Sequence, residues 1–326
     1  MIWCCPKCHG KLDDGPEILR CSGCGSNFEL VGGIPDLRVP GESWINFTED
    51  LQIARDLSAR NLPLAELVHA VYATRPGWDV GRIAMRTEQV LSAPHRLKSD
   101  VAGWLAPVLG AKGQFLDLGC GAGMLIAVGQ NPERTGIGID VSMTWLVVAQ
   151  RLITEWGGKP ILAAALGEAL PMPDNSIDAV ISLDVIEHVN DPDAYLGEIN
   201  RVVKSGGRIA LSTPNRFSLT AEPHVFVWGV GWLPQRLQRP YVRWRSGKTY
   251  DDTRLMGSVS LCRRLGKNTK FNFRVAIPEI SLEHIEKFGT LKALLAKIYN
   301  KLAQSVLLRP AFLVIGPFFR ITGTKP

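Results

Sequence analysis

The stretch QFLDLGCGAG, residues 114–123, limits the folds open to this chain more than any other. Phe115, Leu116 and Leu118 make a short apolar run of the kind found in strands buried on both faces. The run stops at a G-x-G-x-G array, Gly119, Gly121 and Gly123, and an apolar stretch from Met124 follows that reads as a helix. Glycines at such a turn allow a sharp bend and bring backbone N–H groups close to a ligand. A second run, residues 136–140, ends in Asp140, 23 residues after Asp117. That is near the spacing at which an acid at the end of a neighbouring parallel strand meets ribose hydroxyls. The dinucleotide fingerprint G-x-G-x-x-G/A is not met, because position 124 is Met.

Downstream, residues 170–182 read as a loop feeding a fourth strand, which runs on through Leu183-Asp184-Val185-Ile186-Glu187-His188. Ala194, Leu196, Ile199, Val202 and Val203 predict a helix over residues 192–203, ended by Gly206-Gly207, with a fifth strand over 208–212. Alternation of this kind means a parallel sheet with helices on both faces. The segments FLDLGCGAG, GIGIDVS, GEALPMPDNSIDAVISLDVIEHV and EINRVVKSGGRIALSTPN, in that order, resemble class I S-adenosylmethionine-dependent methyltransferases. The resemblance covers residues 115–215 well and the rest loosely. It is specific for fold and cofactor and poorly specific for the acceptor. It implies an α/β, Rossmann-like sheet, mostly parallel and seven-stranded, with helices on both faces. It also implies that Asp117 supports the loop, that Gly119, Gly121 and Gly123 lie along the methionine part of the cofactor, and that Cys120 packs within that loop. Asp140 would hold the ribose hydroxyls and Val141 would face the adenine. The acid that ordinarily accepts the adenine amino group is absent, since Ala165-Leu166 stands where a glycine-aspartate pair is expected. Leu166 would then pack on the ring, with Glu168 the nearest acid, while Leu183 and Asp184 close the cofactor side of the fourth strand.

Methyl transfer needs an acceptor atom held in line with the S–CH3 bond and shielded from water. His188 lies where ligands sit in such sheets, at a strand's carboxyl end, and an imidazole has a suitable pKa for base work. Packing beside the cofactor is the plainer role for His188. Glu187 is a second candidate, as a base or as a ligand to a divalent ion. Ser212-Thr213-Pro214-Asn215 is no Asn-Pro-Pro-Tyr motif, which argues against methylation of adenine amino groups in DNA.

The N-terminus carries different chemistry. Cys5, Cys8, Cys21 and Cys24 form two C-x2-C pairs, a spacing that aims four thiolates at one tetrahedral ion. Four protein ligands close the shell, so the expected zinc is structural. Cys4 is the spare thiol, and Cys262 reads as a buried residue of a helix. Residues 1–38 read as a self-contained zinc ribbon, a platform beside the mouth of the active site that shapes or recruits the acceptor. Residues 39–110 read as a helical linker that helps cover the pocket, and 111–326 as the methyltransferase domain with an insertion at about 216–257.

That insertion has no acid from 223 to 250 but carries Arg236, Arg239, Arg243, Arg245 and Lys248 among Trp228, Trp232 and Trp244. Its aromatics would stack on a flat acceptor and its arginines grip phosphate. Alternatively the tryptophans fill a local core and the arginines are solvated. His224 is a further candidate to point into the pocket. Residues 289–305 read as an amphipathic helix, and the apolar run 306–319 is broken by Arg309, Pro310 and Pro317 and too short to span a bilayer. A last strand over 318–323, or shallow peripheral membrane contact through this C-terminal region, are its two readings. The net charge of +6 favours anionic partners. With no apolar leader at the start, the expected location is cytoplasmic, and the inner face of the membrane is the alternative if the C-terminal region makes membrane contact. The leading functional expectation is methylation of a small-molecule or lipid-linked acceptor, phosphate-bearing or not, at a hydroxyl of a sugar, quinone or other metabolite. RNA methylation ranks lower, because Lys7, Lys11 and Arg20 in the ribbon are offset by Asp13, Asp14 and Glu17. A non-catalytic, cofactor-binding scaffold for a protein partner is the third reading.

Overall fold

The structure, a computed structural model, describes residues 2–39, 45–280, 285, 289–303, 305 and 307–326. Its strands form two sheets. The smaller is antiparallel, in the order β1 (Leu12–Asp13), β2 (Ile18–Cys21), β3 (Asn27–Val31), β4 (Ile34–Pro35). The larger runs β10 (Asn272–Ala276), β11 (Phe318–Thr324), β9 (Val203–Pro214), β8 (Ile177–Leu183), β5 (Gly113–Leu118), β6 (Arg134–Asp140), β7 (Leu162–Ala164). Strands β5 to β9 pair in parallel, while β11 and β10 close one end antiparallel. This is the expected seven-stranded, mostly parallel sheet.

Successive side chains of these strands face opposite layers. Leu116, Leu118, Ile137 and Ile139 pack with α7 (Pro192–Val202) and α9 (Ser258–Asn268) on one face. Phe115, Ala179 and Ile181 pack on the other, with α2 (Leu64–Ala73), α3 (Val80–Ala102), α5 (Met124–Gly129) and α6 (Met143–Glu155). Ahead of these come α1 (Phe47–Ala59), packed on α6, and between α3 and β5 the short α4 (Ala106–Leu109). Within the expected helical segment 39–110, α3 starts at Val80, capped by Asp79 accepting from Arg82 N at 2.9 Å. It accommodates Pro94 internally and stops before Gly103. Gly206-Gly207 does not end α7. The helix stops at Val202, and both glycines lie inside the twelve-residue β9.

The ribbon is not self-contained. Its strands are two to five residues long, too short for a core of their own. Leu12, Leu19 and Phe28 join the hydrophobic cluster on the α7 face, and Val31 and Ile34 join the one on the α6 face. The ribbon thus straddles the β7 edge of the large sheet. Leu37 N donates to Ala164 O at 2.8 Å, and Cys4 N donates to Pro171 O at 2.9 Å. The chain that follows β9, which forms the insertion, lies on the opposite flank of the sheet order.

A buried charge cluster fastens this junction. Arg38, 8% exposed, donates to both carboxylate oxygens of Asp36 at 2.7 and 2.6 Å, to Asp50 Oδ2 at 2.7 Å and to Val141 O at 3.0 Å. Asp50, on α1, also accepts from Met143 N at 2.8 Å, Thr144 N at 3.2 Å and Ser142 Oγ at 2.8 Å. It therefore satisfies the free N–H groups that begin α6, where an anion also opposes the positive end of the helix dipole. Removing one member strands the others without solvent, a loss of about 3–5 kcal/mol. Arg38→Ala is expected to lower unfolding free energy by that amount in a urea titration. Arg55→Ala, which breaks a solvent-exposed pair with Glu29, should cost less than about 1 kcal/mol.

Candidate active site and cysteine cluster

A cavity of about 310 Å3 opens at the carboxyl ends of β5, β6, β7 and β8. Of the residues expected at a cofactor, Gly119, Asp140, Val141, Leu166, Glu168 and Asp184 line it, together with His188. Trp145, Ser142, Asn190 and Tyr195 line it as well and were not foreseen.

The glycine turn divides its labour. Gly119 has φ +82°, and a Cβ there would come within 2.3 Å of the Val185 side chain, so the backbone lies hard against the turn after β8. Gly123 has φ +72°, and a Cβ would meet Ala149 and Ile153 of α6 at 2.9 Å. Its smallness serves helix packing, and it is not on the cavity wall. Cys120 is buried beneath the turn, with its sulfur toward Gly138. Leu183 packs into the α6-face cluster and does not reach the cavity.

Asp140 is the acid with the most defined geometry. Its Oδ2 accepts from Gly121 N at 2.8 Å and its Oδ1 from Ser142 N at 2.9 Å. The two oxygens of a carboxylate offer about four acceptor positions, so roughly half remain for a ligand. Burial raises its pKa, and the backbone donors oppose that shift. Asp117, wholly inside the sheet, is pushed up to about 8 by burial and by the neighbouring Asp140 charge. Glu168 Oε1 accepts from Asn190 N at 2.8 Å and braces the turn after β8.

That turn meets the insertion. Glu187 is fully buried; burial, then the Asp184 charge, lifts its pKa to about 8. Its Oε2 accepts from Thr213 Oγ1 at 3.0 Å, and its side chain is not on the cavity wall. His188 Nδ1 donates to Asp252 O at 2.8 Å, and its Nε2 lies 3.1 Å from His224 Nε2. Both nitrogens of His188 are therefore engaged within the protein, which leaves neither for an acceptor in this arrangement. Burial lowers the pKa of His188. Burial also opposes charge on His224, but the Glu222 hydrogen bond and charge outweigh it, and its pKa is raised. Glu222 was missed in the sequence because the acid-free stretch was counted from its neighbour Pro223. The Glu-x-His spacing was the available signal. Within the insertion, Val225, Val227, Val230, Val242 and Tyr250 form a small core beside α8 (Gln235–Ser246). Phe226, Trp228 and Trp244 are 69%, 61% and 76% exposed, so these aromatics do not fill it.

The cysteine cluster is compact. Cys5 and Cys24 sulfurs lie 3.6 Å apart and Cys8 and Cys21 sulfurs 3.4 Å, with all four inside 4.8 Å of one another. Sulfurs at about 2.3 Å from a tetrahedral zinc stand roughly 3.8 Å apart, so the set fits that ion. No pair is a disulfide. Cys24 is brought down to about 6 by the Ser26 hydroxyl, favouring the thiolate that a metal requires. Cys4 bridges to Lys11 in the backbone and lies outside the set, and Cys262, in α9, is half-buried.

The family described as "Methyltransferase domain" matches residues 116–211. Residues 116–211 form a class I methyltransferase domain. A ubiquinone biosynthesis O-methyltransferase of Pseudomonas fluorescens is 36% identical over 118 residues, covering 35% of this chain and 50% of that one. Its counterpart in Paracidovorax citrulli is 32% identical over 167 residues, covering 49% and 65%. The chain thus spans between half and two thirds of the length of these relatives. A solved structure of phosphoethanolamine N-methyltransferase 2 of Haemonchus contortus with S-adenosyl-L-methionine gives a TM-score of 0.46 at 18% identity, covering 70% of this chain and 52% of that one.

Within the methyltransferase domain the raised pKa of Asp117 has a thermodynamic consequence. The folded chain holds a proton there that the unfolded chain releases from 3.8 upward, so this group lowers stability progressively from pH 3.8 to about 8. Asp117→Asn removes that contribution. Melting temperature of the cofactor-free variant, followed against pH, should fall less steeply across this window than that of the unaltered protein.

Proposed function

We propose that this chain transfers a methyl group from S-adenosylmethionine to a hydroxyl of a small or lipid-linked acceptor. The observation that carries the proposal is Asp140, whose carboxylate is fixed by two backbone donors at the edge of the cavity and keeps acceptor positions for a ribose diol. Gly119 gives the ligand a close backbone wall, Val141, Leu166 and Trp145 give the adenine end an apolar one, and Tyr195 adds a buried floor. The cofactor supplies a methyl group already activated on a sulfonium, so the residues around it bind, orient and exclude water. The acceptor would enter where Asp184, His188 and the insertion meet. The two ubiquinone-biosynthesis relatives named above are O-methyltransferases by name, which supports an oxygen acceptor.

Support for a lipid-linked acceptor comes from the surface. Phe226, Trp228 and Trp244 are exposed, with Arg245 over the Trp244 ring and Lys248 over the Phe226 ring, and α10 (Thr290–Ala303) exposes Leu291, Leu294 and Leu295. Apolar side chains beside basic ones suit shallow contact with an anionic membrane. Among the described residues no helix is long and apolar enough to cross a membrane.

The cysteine cluster would hold a structural zinc. By docking on β7 and anchoring Arg38 against Val141, the ribbon braces the adenine end of the pocket. Stripping its metal with a chelator should therefore weaken cofactor binding. Cofactor affinity that is unchanged after the ribbon loses its metal would separate the two units and remove this coupling.

The reaction is tested with purified protein, radiolabelled methyl donor and separated cell fractions. Label should enter the organic-extractable or polar metabolite fractions; label in RNA alone would replace the acceptor class. By calorimetry the unaltered chain should bind the donor, and Asp140→Ala should weaken binding roughly 10–100-fold, as expected for loss of hydrogen bonds to a charged group. Equal affinity in the two proteins would remove the basis of the reading.

A further inference from the structure

Glu187, His188 and His224 come from two segments, the turn after β8 and the insertion, and each offers one ligand atom within 4.8 Å of the others. The hydrogen bonds around the two histidines fix their tautomers. His188 Nδ1 faces the Asp252 carbonyl, which only accepts, so that nitrogen carries the proton. His224 Nδ1 lies 2.5 Å from Glu222 Oε1, while Glu222 Oε2 accepts from the backbone N–H groups of His224 and Val225 at 2.9 Å. That carboxylate is an acceptor throughout, so His224 Nδ1 also carries its proton. His188 Nε2 is then a lone pair, and it faces His224 Nε2 at 3.1 Å. The pair needs a cation between or beside it: a proton when His224 is charged, or a metal ion when His224 is neutral. Nitrogens at about 2.0–2.1 Å from a shared ion stand about 2.9–3.4 Å apart for octahedral to tetrahedral angles. The third group bears its own mark: Glu187 is fully buried, and its Oε1 has no hydrogen-bond partner among the described residues.

We propose that these three side chains bind a divalent transition-metal cation at the acceptor end of the cavity. Two imidazoles and one carboxylate suit a borderline ion such as zinc, cobalt or nickel over magnesium, which prefers oxygen ligands. Glu222 and the Asp252 carbonyl orient the two rings from outside, the usual arrangement around metal-bound histidine. Three protein ligands leave positions open, and His188 lines the cavity, so a bound ion can meet an acceptor oxygen there. This role rests on the proposed methyl transfer. A metal on the acceptor hydroxyl lowers its pKa, and the released proton goes to water at the open mouth. The site would explain why neither nitrogen of His188 is free to act as a base.

The test uses the full chain titrated with Co2+ and then assayed for metal content. A nitrogen–oxygen site gives visible d–d bands without the thiolate charge-transfer band of the cysteine cluster, so the two sites are read separately. The expected result is one metal equivalent beyond that of the cysteines, absent in His224→Ala and in Glu187→Gln, with Glu222→Gln weakening Co2+ affinity about 10–100-fold. His224 is exposed in the insertion, so its removal spares the core, and donor binding to Asp140, measured by calorimetry, should persist in that variant. Failure of donor binding in the unaltered chain would count against the methyl-transfer reading alone. No second equivalent in the unaltered chain, or one that survives both ligand substitutions, overturns the metal site.

Discussion

A single guanidinium holds the molecule's parts in register. Arg38 joins the exit of the ribbon, through Asp36, to α1, through Asp50, and to the cofactor strand, through the carbonyl of Val141. Each partner alone would be a poor reason to bury a charge, because desolvation costs several kcal/mol per ion. Together they saturate the guanidinium, and Asp50 passes the interaction on to the first turn of α6. The N-terminal residues thus set where the β6–α6 turn lies, and that turn supplies Asp140, Val141 and Ser142 to the cavity.

The opposite end of the cavity is organised by the insertion. Arg254 N donates to Glu187 O at 2.7 Å, and its guanidinium reaches Asn190 O at 2.8 Å, so the returning segment of the insertion is stitched to the turn after β8. Asp252 O and Glu222 then aim two imidazoles at each other across that seam. Glu168 holds the same turn from the cofactor side. One short turn, residues 184–190, is therefore gripped by the cofactor wall, by the insertion and by β9 through Thr213. A change at either ligand's end of the cavity is felt in it directly.

Much of this was legible from the sequence for one reason: the central strands are short and apolar and each ends in a local turn, so G-x-G-x-G and the acid closing β6 declare themselves within a few dozen residues. The cysteine pairs are legible on the same ground, since two C-x2-C units specify their geometry locally. What could not be read depends on long-range placement. Arg38 and Asp50 are ordinary charges in the sequence, and their meaning comes from the α6 N-terminus far along the chain. The docking of the ribbon on β7 rests on a backbone bond between Leu37 and Ala164, which no side-chain pattern announces. Gly123 looks like a ligand contact by spacing, yet its missing Cβ makes room for α6.

The ribbon's grip on β7 also bears on how the sheet avoids other chains. A three-residue edge strand with open backbone groups invites pairing with foreign strands. Here residues 36 and 37 cover it, and they precede every strand of the large sheet in the order of synthesis. The cover is made before the edge it protects, and its shape is set by four thiols. A ribbon that loses its shape would leave that edge open to foreign strands, quite apart from anything that happens in the cavity.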